Sequence, residues 1–600
     1  MTHRAVALAA LGGIVGGLLL WIGGADGASD AVFALTAAAV LVPLVWTVGR
    51  SLVARDVGVD AIAIVAIAGA LGLGEYLAGA VVALMLAGGN ALEESAHRRA
   101  RRELSALVAR APKIAHRRTG AEIEEVPVDA VGIGDVVVVR GGEVVPVDGV
   151  VASENAVIDE SSLTGEPFPV TIRRGDAVRS GTANAGEVFE LRAIRPASES
   201  AYAALVRLVR QAETQQAPLV RLADRYAAFF LPLTALVAGA AWALTGDPVR
   251  ALAVFVVATP CPLILAAPVA LISGVSRAAR VGVIVKGGGA IEQLGRVRSV
   301  LLDKTGTVTL GAPQVERIVV LDGVPEGELL RLAASLEQVS VHSLAEALVH
   351  EAQERRLELS FPTNVVEGRG RGIEGDVDGK HVAVGSAGWL RDLHYDTGQS
   401  GDAQVLVGID GRLAGTVTLG DHLRPDALEL VPALRAAGVS HIALATGDRA
   451  DVAELIGKEL GVDRVYSDQS PEDKLALVRA LQERSELRPV AMVGDGINDA
   501  PALALADVGI AMGTAGATVS SETAAVVILV DRVGRVADAI RIGRRSLGIA
   551  QQSVLAGLGL SIVAMGFAAF GYVTPLAGAL LQEAIDVAVI LNALRALRGQ

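Results

Sequence analysis

A chain of 600 residues that is 52% hydrophobic, with a mean hydropathy of +0.48, is too apolar for an ordinary water-soluble protein, so part of it belongs in a bilayer. Its 53 Lys and Arg against 66 Asp and Glu give a net charge of −13, and with no basic stripe and only 3% aromatic residues the composition argues against a nucleic-acid partner. A single cysteine, Cys261, excludes an intrachain disulfide and any Cys-x-x-Cys metal module.

Two apolar stretches, Val6–Ile22 and Ala31–Val48, are each of spanning length and are joined by the acidic residues 24–30. The second follows the first at once, which argues against a cleavable signal peptide. Arg4 before the pair, and Arg50 and Arg55 after it, place both flanks in the cytoplasm. A second pair, Val59–Leu73 and Tyr76–Gly89, ends in the cationic run His97, Arg98, Arg99, Arg101 and Arg102, on the same side. Glu93 and Glu94 stand where the fourth span leaves the bilayer; they either collect cations at a pore mouth or pair with the arginines that follow.

From about Lys113 to Ile194 the pattern changes to short strands broken by Gly, at Val136–Val139, Val150–Val151, Val157–Ile158 and Val188–Leu191, which predicts a compact β-rich domain. It contains Thr164, Gly165 and Glu166, a tripeptide that by itself suits any exposed turn. A third pair of spans follows, Tyr226–Leu244 and Val249–Val275. The second of these carries Thr259-Pro260-Cys261-Pro262. Two prolines there remove two backbone donors and leave carbonyls without helical partners, which at membrane depth is tolerated where the backbone lines a cavity.

The cytoplasmic mass begins near Gly287. Its apolar run Val300, Leu301, Leu302 leads straight into Asp303-Lys304-Thr305-Gly306-Thr307, the pattern of a buried strand delivering a carboxylate to the edge of a sheet. A carboxylate so placed can attack a phosphoryl group, with Thr305 and Gly306 offering hydroxyl and backbone N–H to the phosphoryl oxygens. Two further buried strands are predicted, Ile442–Ala445 ending in Thr446-Gly447-Asp448, and Pro489–Val493 ending in a run that includes Asp495, Asn498 and Asp499; Lys474 lies between them. All can gather at one edge. Asp495 and Asp499 are hard oxygen ligands that suit Mg²⁺, with Asp303 and Thr305 completing the site. Lys474 would neutralise phosphoryl charge, Thr446 would hydrogen-bond a phosphoryl oxygen, and Asn498 could brace the same group.

The pentapeptide at Asp303 resembles the phosphorylation motif of P-type ATPases, and the four clusters in this order make the chain similar from end to end to the heavy-metal-transporting (type IB) branch. That resemblance implies a multidomain membrane protein: an eight-helix transmembrane bundle, a β-rich actuator domain, and an α/β haloacid-dehalogenase-like phosphorylation domain with an inserted α+β nucleotide-binding domain. The boundaries it implies are spans over 1–95, actuator 96–210, spans 211–280, phosphorylation domain 281–313 and 422–548, nucleotide-binding domain 314–421, and spans 549–600. Glu166, with Thr164 and Gly165, would position the water that hydrolyses the aspartyl phosphate. Lys304, Gly447 and Asp448 join the catalytic set, and ATP with Mg²⁺ is the expected cofactor pair. Glu337, His342, Gly370 and Gly372 match the branch's adenine-site pattern, except that Ser343 follows His342 where the branch has proline. A monomer in the bacterial plasma membrane, with both termini in the cytoplasm, is implied.

Three polar residues lie within the last span. Gln582, Glu583 and Asp586 have spacings of three and four that put Asp586 beside both others on the helix. Intramembrane carboxylates are costly and default to function. With Cys261 and the carbonyls around Pro260 they compose a donor set for a borderline divalent ion such as Ni²⁺, Co²⁺, Fe²⁺ or Zn²⁺, rather than Cu⁺, which prefers several sulfurs. The resemblance to a smaller Thr-Pro-Cys branch points toward nickel, cobalt or iron, with zinc and cadmium open. Two other readings are a pump for an alkali or alkaline-earth cation and a metal-responsive sensor with residual phosphatase activity.

Overall fold

Where the sequence runs apolar for a membrane's depth the chain is helical, because a helix satisfies its own backbone groups without water. The computed structural model describes residues 3–53, 60–109, 112–120, 122–159, 169–200, 202–203, 206–207, 218–258, 261–310, 314–321, 323–340, 343–368, 371–397, 404–495, 499–513 and 523–598. Among these, five helices are long and apolar enough to cross a membrane: His3–Ile22, Asp26–Val53, Tyr76–Ala109, Arg535–Ala569 and Pro575–Ala593. Shorter apolar stretches lie within the helices Asp60–Gly72, Pro218–Thr245 and Pro248–Val257. The expected sixth span is divided. One helix ends at Val257, and the next, Cys261–Arg280, begins with Pro262 in its first turn, where a missing donor costs nothing.

Two tight turns between the apolar helices are built from caps. Asp247 accepts from the amide of Val249 at 2.9 Å to open Pro248–Val257, and Thr574 accepts from Ala577 at 3.3 Å to open Pro575–Ala593. Tyr76–Ala109 outruns its expected span and carries the arginine run onward; Glu94 pairs with Arg98 one turn on at 3.8 Å.

The β-rich domain holds a six-stranded sheet, ordered Glu122–Pro127, Ile114–Thr119, Val136–Val139, Phe189–Ala193, Gly149–Val151, Ala177–Val178, and a smaller sheet around Asn155–Asp159. Val137, Val139, Val147, Ile158, Phe189 and Leu191 form its core.

In the phosphorylation domain Ser299–Asp303 is central to a seven-stranded sheet and runs parallel to both neighbours, His441–Ala445 and Val490–Gly494. Such strands are buried on both faces, which is why they read as unbroken apolar runs. The register pairs Asp303 with Ala445 and Leu302 with Val493, so the three polar ends emerge side by side. The inserted domain is a six-stranded antiparallel sheet with the helices Glu326–Glu337 and Ser343–Glu354 packed on it through Leu329, Leu332, Leu336 and Leu348. A bridge between Thr309 and Leu423 joins the two strands that connect it to the phosphorylation domain.

Candidate functional site

At the carboxyl edge, Lys474 donates to Asp303 Oδ1 at 2.5 Å and to Asp499 Oδ1 at 2.8 Å, and each of the three residues is less than a tenth exposed. Ser470 caps the helix Pro471–Gln482 in a capping box with Asp473, which fixes the first turn from which Lys474 reaches the sheet. Burial first, then the charge of Asp499, pushes the Asp303 carboxyl up to about 7, and Asp495 adds to it; Lys474 opposes them. Burial works against the ammonium of Lys474, but its two carboxylate partners outweigh that and hold it above its ordinary value. Two carboxylates share one ammonium here, and a third, Asp495, lies near enough to act on Asp303. That donor set fits a hard divalent cation such as Mg²⁺.

The turn after Asp303 is shaped for close approach. Gly306 has φ +68, and a Cβ there would lie 3.0 Å from Asp495 Oδ2, so both the backbone and the neighbouring carboxylate require glycine. Lys304 is buried and its ammonium pairs with Asp448 Oδ2 at 2.5 Å, tying this turn to the one after the neighbouring strand. Thr446 is buried, with its hydroxyl accepting from the amide of Asp448 at 3.1 Å, and Gly447 is exposed. Thr305 is exposed, whereas the hydroxyl of Thr307 is buried with no hydrogen-bond partner among the described residues.

Four residues of this edge carry no signal in the sequence. Arg424, only 2% exposed, donates to the carbonyls of Thr307 at 2.7 Å and Gly306 at 3.0 Å and pairs with Asp531. Thr309 donates to Asp421 at 2.5 Å, and its hydroxyl lies 2.9 Å from the carbonyl of Lys304. A lone Arg or Asp in a loop carries no signal of this kind; only the Thr309–Leu423 pairing brings the two strands together.

In the inserted domain Glu337 ends its helix almost fully buried. Burial, and after it the charge of Glu367, raises its carboxyl to about 7 against the pull of the Ser340 hydroxyl. Ser340 donates to Glu367 at 2.8 Å. Gly372 and Gly385 are paired in register, and with Gly368 they lie against the ring of Trp389: a Cβ on Gly372 would come within 2.2 Å of it. The guanidinium of Arg371 sits 5.5 Å from the centre of that ring and pairs with Asp392. Trp389 and Arg371 were not expected members of the region.

Within the membrane helices, Gln582 and Asp586 are buried and Gln582 donates to Asp586 Oδ1 at 3.0 Å. Spacing alone left Glu583 equally placed, but Glu583 Oε2 is buried without a hydrogen-bond partner among the described residues. Pro575–Ala593 packs against Cys261–Arg280, which opens on Cys261. The side chain of Cys261 lies outside the described residues, as do Thr164, Gly165, Glu166, Pro260, His342, Gly370 and Asn498.

Residues 297–507 match the haloacid dehalogenase-like hydrolases, and residues 109–210 match the P-type ATPase actuator domain. A manganese-exporting P-type ATPase of Mycobacterium tuberculosis is 34% identical over 571 residues, covering 92% of this chain and 79% of the relative. A zinc-exporting P-type ATPase of Mycobacterium marinum is 34% identical over 568 residues, covering 92% and 77%. A crystal structure of a zinc-transporting PIB-type ATPase in an E2.Pi state is similar over 100% of both chains, with a TM-score of 0.66 and 32% identity.

Proposed function

Because this chain belongs to the heavy-metal-transporting P-type ATPases, we propose that it binds a divalent transition-metal ion from the cytoplasm and expels it at the expense of ATP through an acyl phosphate on Asp303. The observation that carries the chemistry is the buried cluster of Asp303, Lys474 and Asp499 at the carboxyl edge. An oxygen of Asp303 attacks the terminal phosphorus of ATP, ADP leaves, and charge develops on oxygens that Lys474 is positioned to meet once it gives up one carboxylate. Bound by Asp303, Asp495 and Asp499, Mg²⁺ would supply the charge neutralisation that lets two anions approach. Glu166 orients the water that later releases phosphate, and Glu337 with Gly372 faces the adenine. The nucleotide region, boundaries and roles are those given by the motifs above.

The cargo site of this reading comprises Asp586, Gln582 and Glu583 on the last helix together with Cys261 and Pro260 of the Thr-Pro-Cys-Pro run. Oxygen donors with one thiolate suit Zn²⁺ and Mn²⁺ as well as Ni²⁺, Co²⁺ or Fe²⁺, and relatives that export manganese and zinc put those two level with the others. The arginine flanks place both termini in the cytoplasm. The test is ATP hydrolysis by the purified protein in lipid against Mn²⁺, Zn²⁺, Ni²⁺, Co²⁺, Fe²⁺, Cd²⁺ and Cu⁺, with Cys261→Ala and Asp586→Ala alongside. Stimulation by a divalent ion that both substitutions remove is the expected result. Hydrolysis indifferent to every metal and to both substitutions overturns it.

A further inference from the structure

The helices Arg535–Ala569 and Pro575–Ala593 run side by side and are tied by two serine–amide pairs about two helical turns apart. In the first, Ser561 Oγ donates to Gln582 Oε1 at 3.3 Å, and Gln582 Nε2 donates to Asp586 Oδ1 at 3.0 Å. All three residues are no more than 3% exposed. In the second, the order is reversed: Asn592 Nδ2 donates to Ser553 Oγ at 2.8 Å, while Asn592 Oδ1 accepts from Arg595 at 2.8 Å.

The third partner accounts for the difference. A carboxylate only accepts, so it draws the amide's NH₂ toward itself and leaves the amide oxygen to the serine; a guanidinium only donates, so it draws the amide oxygen and leaves the NH₂ to the serine. Serine fits both arrangements because its hydroxyl both donates and accepts. A metal ion arriving at Asp586 puts Gln582 in the position Asn592 already occupies, between a cation and a serine.

We infer that Ser561 is a positioning residue for the transported ion: its hydroxyl lets Gln582 turn over when the cation binds Asp586, exchanging an NH₂ that faces the carboxylate for an amide oxygen that faces the metal. This rests on the export reading above. With Ser561 absent, the amide loses a partner in both states, and it loses more when loaded, because an amide polarised by a cation at its oxygen is the stronger donor at its nitrogen. Removing the hydroxyl therefore weakens ion binding, where a loss of helix packing alone would not.

The experiment measures ATP hydrolysis by the full-length protein in lipid vesicles as a function of free Zn²⁺ and of free Mn²⁺. Ser561→Ala is expected to raise the half-saturating metal concentration about two- to threefold, the part of one hydrogen bond that is gained only in the loaded state, with the maximal rate unchanged. Ser561→Thr is expected to restore the wild-type value, and Ser553→Ala to leave it unchanged. In a Gln582→Leu background, Ser561→Ala is expected to add no further shift. Equal effects of Ser561→Ala and Ser553→Ala overturn the inference, as does a Ser561→Ala shift that survives in the Gln582→Leu background. A wild-type response to Zn²⁺ or Mn²⁺ lost in Asp586→Ala but untouched in Ser561→Ala overturns it and leaves export standing. A wild-type protein that neither ion stimulates overturns it together with Zn²⁺ and Mn²⁺ as cargo.

Discussion

Asp303 at the sheet edge and Asp586 in the last membrane helix are both nearly buried, 4% and 2% exposed, yet the first is held by the ammonium of Lys474 and the second by the neutral amide of Gln582. A carboxylate removed from water is costly unless it is paired or hydrogen-bonded. In the phosphorylation domain the protein supplies an ammonium that Asp303 shares with Asp499, and burial still lifts the Asp303 carboxyl to about 7. In the bundle the amide of Gln582 meets Oδ1 of Asp586 with a neutral donor. Beside one acid stands an ammonium, and beside the other a neutral amide.

The sharpest tests exchange the two solutions. Asp303→Asn removes the attacking oxygen and is expected to abolish labelled phosphoenzyme from ATP entirely; any residual label on the variant would move the nucleophile elsewhere. Gln582→Lys puts an ammonium beside Asp586, as Lys474 stands beside Asp303. Metal-stimulated hydrolysis should then fall to the metal-free rate while ATP binding survives, and continued stimulation would show that Asp586 is not the residue awaiting a cation. Lys474→Gln makes the opposite exchange. The amide still donates, so the fold is kept, but the rate of phosphoenzyme formation should drop by about 10²–10³-fold, the usual cost of one transition-state donor. A drop of less than about threefold would leave Lys474 a structural ion pair.

Much of the first region was legible and much of the second was not. Val300–Leu302 and Val490–Val493 could be read as strands because a parallel sheet buries both faces, and the polar residues that follow had to emerge at one edge. That Lys474 would bridge Asp303 and Asp499 could not be read from spacing, since it depends on how a capped helix is docked 171 positions away in sequence. The strands Ile114–Thr119 and Glu122–Pro127 went unread because their charged faces are exposed; Arg117 and Glu124 pair across them at 3.0 Å, a contact with no apolar signature. In the last span, Gln582 and Glu583 competed for Asp586 on equal spacing, and only side-chain direction decided between them.

A milder test uses a carboxyl with no ion pair among the described residues. Glu337 has its pKa raised from 4.5 to about 7 by burial and by Glu367. Because the folded value lies above the ordinary one, the folded domain is favoured below the ordinary Glu range and loses that advantage as pH rises through about 7, by at most about 3 kcal/mol. Unfolding of the inserted domain, followed by Trp389 fluorescence, should therefore become easier between pH 5 and 7, and Glu337→Gln should flatten that part of the profile. An unchanged profile in the variant would assign the pH dependence to other groups.

The smallest effect concerns Arg371, whose cation is spent on an aromatic ring and an exposed carboxylate rather than on a buried acid. Trp389 is the one tryptophan outside the membrane helices, since Trp21, Trp46 and Trp242 lie in His3–Ile22, Asp26–Val53 and Pro218–Thr245, so its fluorescence reports on the inserted domain alone. The Arg371 side chain is 53% exposed, and a cation over an aromatic face at such a site is worth about 0.5–1 kcal/mol. Arg371→Ala is expected to change the Trp389 emission and weaken ATP binding by about two- to fivefold, with the half-saturating metal concentration unmoved. If the metal dependence shifted in parallel, the nucleotide region and the bundle would be coupled through this arginine, and a built-in cation would have a third use here, as a link between the two sites.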